Sequence, residues 1–591
     1  MEKVALSLLV VVYTTFGHTG AQNSSGYEFI VTFLDTYLIR KPLGKEILLA
    51  STLPHDVTVN VTFKEDIGEG VTDMNVTIPS DGQYRISLPH NIVTEGTGKS
   101  KKNIHMLGDA PFSVFAINIE DPSTDGYLAL PVNSLGMDYY AVTYGICKFG
   151  CQFAVTSGSE PTNVRIELPS LESEFPVYFD GVLVDIKGSV AVTLDSYETF
   201  QLKTSRDLTG SYIHADKPVA FYSGNSKTGY PGKCCSEHLV EQIPSVQTWG
   251  RTFLTPVTPG RQNFLIDFYR IITSAPNTTV TLPSDTIFLE NEGSFAEFNL
   301  SSELMFSVSA DEPVLLVKFV VGDHKKSPTD PCMLLVIPVE QWITETVATL
   351  HERYGVNYVV ITGTSDLRET LTLNGQAMPE ETVWLYHNES GLVGAYLLLT
   401  NETTVIRVTG STTFSAYLMS GRHIESYCMP VGMRLLPINT NWARTIPPAY
   451  NPCLGLYNES HWQDKYSKIT TESIRTTSQE CPTNAATTST TTTSTSTVTT
   501  STSTQMSTQV STEQLQVVLA RIEKELRLYP PGTSAFRRNM RSYTVNDYVS
   551  EVMGWVAVGI LCFIFLVFLC IDRERLVRDF FGGVQPDDSR V

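Results

Sequence analysis

The chain has 591 residues, a net charge of −20 and a hydrophobic content of 42%. An isoelectric point near 5.0 excludes a general nucleic-acid binder, because phosphate binding needs basic patches. The length allows several domains at roughly 100–200 residues each.

The first 21 residues read as a signal peptide. An apolar run, Val4–Val12, is followed by small residues ending in Thr19-Gly20-Ala21, which places a cleavage site after Ala21. The run is too short for a membrane anchor, which needs about 20 apolar residues.

From residue 22 to about 435 the sequence predicts strands. Short stretches rich in Val, Ile, Phe, Tyr and Thr alternate with Gly, Pro, Asn, Asp and Ser clusters. Examples are Phe29–Leu34, Val57–Phe63, Tyr139–Tyr144, Val164–Leu168, Val219–Tyr222, Val314–Val321 and Tyr358–Thr362. A repeat runs through them. Ala110-Pro111-Phe112-Ser113-Val114-Phe115-Ala116 is echoed at Lys217-Pro218-Val219-Ala220-Phe221-Tyr222. Further echoes are Glu312-Pro313-Val314-Leu315-Leu316-Val317 and Thr413-Phe414-Ser415-Ala416-Tyr417-Leu418. Apolar segments with proline follow the first three, at Leu128–Val132, Val240–Pro244 and Leu335–Val339. A spacing of about 100 residues suits one small sandwich per unit. The expectation is a mainly β ectodomain of about four tandem sandwich-like units, in preference to one large intertwined domain.

A cysteine-containing linker is expected over 436–482 and a Ser/Thr-rich, mucin-like stalk over 483–512. A juxtamembrane segment, 513–551, holds a short amphipathic helix at Glu513–Leu528. Val552–Ile571 carries no charge over 20 residues, the length a membrane-spanning helix needs. Asp572-Arg573-Glu574-Arg575 follows, so the tail 572–591 is expected inside the cell and the N-terminus outside. The tail ends Asp588-Ser589-Arg590-Val591. Ser589 and the terminal Val591 form a candidate PDZ ligand, adding a strand to a domain edge.

Eight glycosylation sequons fall on the outer side: Asn23, Asn60, Asn75, Asn277, Asn299, Asn388, Asn401 and Asn458. Eight ectodomain cysteines are disulfide candidates: Cys147, Cys151, Cys234, Cys235, Cys332, Cys428, Cys453 and Cys481. Eight allow 105 connectivities. Cys147 and Cys151 close a loop around Lys148-Phe149-Gly150, and a local bridge is expected there. Adjacent Cys234 and Cys235 are expected to pair elsewhere, one of them with Cys332 or another distant partner. Cys428, Cys453 and Cys481 would then pair largely among themselves.

The Phe29–Leu34, Ser123–Val132, Leu135–Tyr140 and Cys235–Pro244 blocks together resemble the N-terminal domain of the IgG Fc-binding protein family of mucus. The resemblance covers roughly 27–435 and implies a non-catalytic, extracellular binding or adhesion module. With ten cysteines, the chain departs from relatives that add long cysteine-rich von Willebrand D repeats. Here the module is expected on a membrane stalk at the plasma membrane.

Catalytic and cofactor signatures do not emerge. Glu95-Gly96-Thr97-Gly98-Lys99-Ser100 mimics the end of a P-loop, but Val93 stands where the first glycine is required, and an exposed loop is expected. Cys147–Cys151 has no second half for a zinc site. His238 between Glu237 and Glu241 reads as a packed or solvated histidine. The reading is therefore no enzyme and no cofactor, with an extracellular glycoprotein or a microbial surface as partner. A ligand-free mucin-like coat is the first alternative and an ectoenzyme the last.

Overall fold

The computed structural model describes residues 24–444, less 38–41, 66–70, 121–122, 170–176, 180–181, 185–188, 231–234, 262–265, 323–329, 388–390, 400–404 and 423–424. The expected signal peptide, stalk, membrane span at 552–571 and tail with Ser589 and Val591 lie outside the described residues.

Strand formation follows the period-2 pattern. In Val57–Phe63 the three valines at 57, 59 and 61 are buried, whereas Thr58 and Asn60 face solvent. Seven such strands make unit I: Gly26–Val31, Pro42–Ala50, Val57–Phe63, Met74–Ile78, Gln83–Leu88, Ile104–Glu120 and Ser123–Leu128. The sixth, of 17 residues, is the spine. Its first half pairs with the first and third strands, its second half with the second and seventh. The fourth strand extends the third, and the fifth extends the second. One strand thus belongs to both layers of a sandwich.

The spine can serve both layers because its register breaks midway. Gly26 lies opposite Phe112 but Glu28 lies opposite Leu107, so residues 108–111 bulge out. A bulge bends and twists a strand, and Pro111 sits there without an N–H that a ladder would miss. Units II, III and IV repeat the scheme, with spines Tyr212–Gly229, Ser307–Val320 and Val405–Arg422 and last strands Ser236–Gln242, Cys332–Leu335 and Glu425–Gly432. Their bulges fall at Ala215–Pro218, Ala310–Pro313 and Gly410–Thr413. The repeated lead-in is therefore the bend of each spine, with a proline in units I to III and Gly410-Ser411-Thr412-Thr413 in unit IV. The apolar-proline segments are the connectors. Each leads into a 3-10 turn, at Val132–Ser134, Val246–Thr248 and Val339–Gln341, ahead of the next unit's first strand.

The last strands of the four units pack against one another in a cycle, I on II, II on III, III on IV and IV on I. We call them axial strands. The chain's two described ends meet where the cycle closes: the Ser24 amide donates to the Met433 carbonyl at 2.9 Å, and His351 Nε2 lies 2.6 Å from Glu46 Oε2. The closed arrangement explains why the spines read as unbroken apolar runs. Phe112–Glu120 is buried throughout. Phe112, Val114 and Ala116 join the core of unit I with Ile47 and Leu49, while Phe115, Ile117 and Ile119 join a second core shared with the other units. A sheet covered on both faces loses its polar alternation.

Candidate functional site

An edge strand buried by a neighbouring unit needs partners for its outward N–H groups, since leaving them unmade is costly. Along this axis carboxylates supply them. Asp125, on the axial strand of unit I, accepts from Val240 of unit II at 3.1 Å and from Met333 of unit III at 3.2 Å through Oδ2. Its Oδ1 accepts from Gly126 at 2.9 Å. Glu237 accepts from the Thr124 amide, and Glu241 Oε1 from the Leu335 amide at 2.9 Å. Neutral groups complete the set. The Ser123 hydroxyl accepts from the His238 amide at 2.9 Å, the Tyr417 hydroxyl from the Ile337 amide at 3.0 Å, and Gln242 Oε1 from the Leu130 amide at 2.9 Å. Tyr354 donates to Thr124 Oγ1 at 2.9 Å. Each unit is thus tied to the next through side chains rather than through a shared ladder.

Burial dominates the electrostatics. Desolvation pushes Asp125, Glu237 and Glu241 well above the usual carboxylate range, against the pull of the N–H donors. Asp330, at one end of the axis, is pushed up to about 7, again by desolvation, with the Lys227 charge and a Glu237 hydrogen bond opposing it. His238, fully buried, is lowered by desolvation and then by the nearby Lys45 charge, to about 3. The axis is a sealed, hydrogen-bonded lock, so contact with a ligand falls to the outer surface. There, at the seam of units I and IV, an open cleft is lined by Ser51, Asp81, Gln83, Asn374, Arg407 and Thr409.

Cys147 and Cys151 are bridged, with Cα atoms 4.9 Å apart. The rest of the expected pairing is corrected. Cys332 is bonded to Cys428, across the axial strands of units III and IV. Cys332 is therefore not the partner of Cys234 or Cys235, and Cys428 does not pair with Cys453 or Cys481. The axial strands run side by side at the centre, which brings these two cysteines together despite a separation of 96 residues. Cys235 is itself disulfide-bonded, while Cys234, Cys453 and Cys481 lie outside the described residues.

Among the sequons, Asn60, Asn75, Asn277 and Asn299 are exposed. Asn60 and Asn75 face each other across one ladder, Asn60 Nδ2 donating to Asn75 Oδ1 at 3.0 Å. Asn23, Asn388, Asn401 and Asn458 lie outside the described residues. Gly98–Ser100, expected as a free loop, is a short strand on the edge of unit II, where Lys99 donates to the Thr193 carbonyl. His238 is a packed histidine. Sequence reasoning missed Asp125 and Asp330 as site residues and met Glu237 and Glu241 only as neighbours of His238. The available signal for Asp125 and Glu241 is an acid inside a run that is otherwise apolar, in Asp125-Gly126-Tyr127-Leu128 and Leu239-Val240-Glu241.

Two comparisons bear on this architecture. The human IgGFc-binding protein is 24% identical over 371 residues, covering 61% of this chain. The match spans 7% of that much longer protein. The family model described as IgGFc binding protein matches residues 125–420, from the axial aspartate of unit I through the spine of unit IV. The chain belongs to the IgGFc-binding family.

Proposed function

We propose that this chain is a single-pass cell-surface glycoprotein whose ring of four sandwiches binds a glycoprotein or microbial-surface ligand, in adhesion or mucosal defence. Family membership is the observation that carries the binding role. The disulfides and exposed sequons support an oxidising, extracytoplasmic setting, and Val552–Ile571 supplies the anchor in the sequence. The cleft at the seam of units I and IV supports the ligand class. Its hydroxyl, amide, carboxylate and guanidinium groups match the hydroxyl-rich surface of glycans, and rigid sandwiches suit loop-borne recognition.

The test uses the full chain displayed on cultured cells. Protease on intact cells should release a large glycosylated fragment; protection of residues 22–545 contradicts the topology. A panel of glycoproteins, immunoglobulin Fc and fixed bacteria should give saturable binding to at least one member. Arg407→Ala should weaken it about tenfold, the loss expected for one charge-assisted hydrogen bond. Binding that never saturates would favour the ligand-free coat instead.

A further inference from the structure

A second cluster of buried reactive groups lies at the end of the unit I sandwich, away from the cleft. Lys45 is 0% exposed, and Asn118 and Glu120 are each 1% exposed. Lys45 stands directly opposite Asn118 across the second strand and the spine. Residues 45, 47 and 49 share one face, as do 114, 116, 118 and 120, and both faces turn into the unit I core. Lys45 Nζ contacts Glu120 Oε1, and His90 Nδ1 lies 2.7 Å from the same oxygen. Asn118 Nδ2 lies 2.6 Å from His238 Nε2. Asn118 Oδ1 has no hydrogen-bond partner among the described residues.

A lysine, a carboxamide and a carboxyl group sealed in an apolar core make a reaction site that only the chain itself can use. We propose that Lys45 and Asn118 condense into an intramolecular amide, with Glu120 as the proton carrier. Glu120 takes a proton from the ammonium, and the free amine attacks Asn118 Cγ. The Nζ–Cγ bond forms and the Cγ–Nδ2 bond breaks. Glu120 passes two of the three Nζ protons to the departing nitrogen, which leaves as ammonium, and Glu120 ends as the carboxylate it began. His238 Nε2 holds the departing nitrogen by accepting its hydrogen bond. No oxidant or added reagent is required.

Three features favour the step. Desolvation lowers the pKa of Lys45, against the pull of Glu120, which enlarges the share of nucleophilic amine. Cross-strand register holds the nucleophile opposite the carboxamide, removing the entropic part of the barrier. A buried ion pair left as such carries a desolvation cost of several kcal/mol per ion, and acylation removes the buried ammonium. The product would join the second strand of unit I to its spine covalently.

The test is mass spectrometry of the full chain, deglycosylated and digested by protease. The expected result is one cross-linked species joining the Lys45 and Asn118 peptides, about 17 Da lighter than their sum, the mass of one ammonia. Glu120→Gln should yield the two peptides unlinked. Recovery of Lys45 free in the wild-type digest overturns the proposal, as does a Lys45–Glu120 amide lighter by about 18 Da. Persistence of the cross-link in Glu120→Gln removes Glu120 from the step. The wild-type digest decides the main point even where the variant does not fold.

Discussion

Asp125 shows what a single carboxyl group does in this protein. It receives the amides of Gly126, Val240 and Met333, on the axial strands of units I, II and III, and the Cys428 amide of unit IV also acts on it, at a place where water cannot substitute. Since burial favours its neutral form, an amide of the same shape should replace it well. Asp125→Asn is expected to cost under about 1 kcal/mol, whereas Asp125→Ala strands two inter-unit N–H groups and should cost about 3 kcal/mol or more. Urea unfolding of the two variants checks this; equal losses would mean that the carboxylate is charged. Asp330 adds a pH dependence. Its folded pKa, about 7, lies above the ordinary aspartate value of 3.8, so the folded state binds the proton more tightly. Its contribution to stability is full below about pH 3.8, declines as pH rises and is gone above about 7. Asp125, Glu237 and Glu241 act in the same direction, while neutral, buried His238 opposes them below about pH 6.5. With four acids against one histidine, the melting temperature should rise from pH 8 to pH 5, and Asp330→Asn should flatten that rise. A wild-type curve that falls over this range would contradict the account.

At the scale of strands, the bridge between Cys332 and Cys428 closes a long loop between two axial strands. Loop-closure entropy for about 100 residues gives roughly 4–5 kcal/mol as an upper figure. Cys332→Ser with Cys428→Ser should therefore lower stability by several kcal/mol, while removing the four-residue Cys147–Cys151 bridge should cost less. Comparative denaturation of the two double variants measures the difference. Close strand approach makes a sharper demand at Gly224, where an added Cβ would lie 1.9 Å from the Leu239 carbonyl oxygen. Gly224→Ala should separate the spine of unit II from its axial strand and sharply reduce the yield of folded protein.

These elements also show how much could be read in advance. The spines were visible as repeated apolar segments, Pro-led in units I to III, and the connectors as Leu-Pro or Ile-Pro motifs, because bends and turns leave local signatures. The Cys147–Cys151 bridge was legible for the same reason, its partners being four residues apart. The Cys332–Cys428 bridge and the carboxyl caps were not, because their partners are set by how distant strands meet. Asp125 and Met333 lie 208 residues apart, and in the sequence Asp125 is one acid among 62. The outer cleft was equally invisible, since its walls come from both ends of the ectodomain.

For the whole molecule, the consequence of closure is cooperativity. Four tethered sandwiches would melt separately, whereas units sharing a buried axis and one core should melt together. Calorimetry of the full chain should give one transition for the four units. Closing contacts such as that between Ser24 and Met433, 409 residues apart, bring long loop closures into folding, so refolding should be slow. A chain ending before unit IV should accumulate poorly, because it strips Tyr354 from Thr124 and Met429 from Gly126 along one side of the axis.

The central claim is that the four axial strands form one locked, buried centre. Hydrogen exchange of the amides of Thr124, Val240, Met333 and Cys428, one on each axial strand, tests it most directly. The account predicts that all four exchange only through global unfolding, at one common rate per opening, and lose protection together in Asp125→Ala. Fast exchange at any of them in the wild-type protein, or protection lost in one unit alone, would contradict the closed ring.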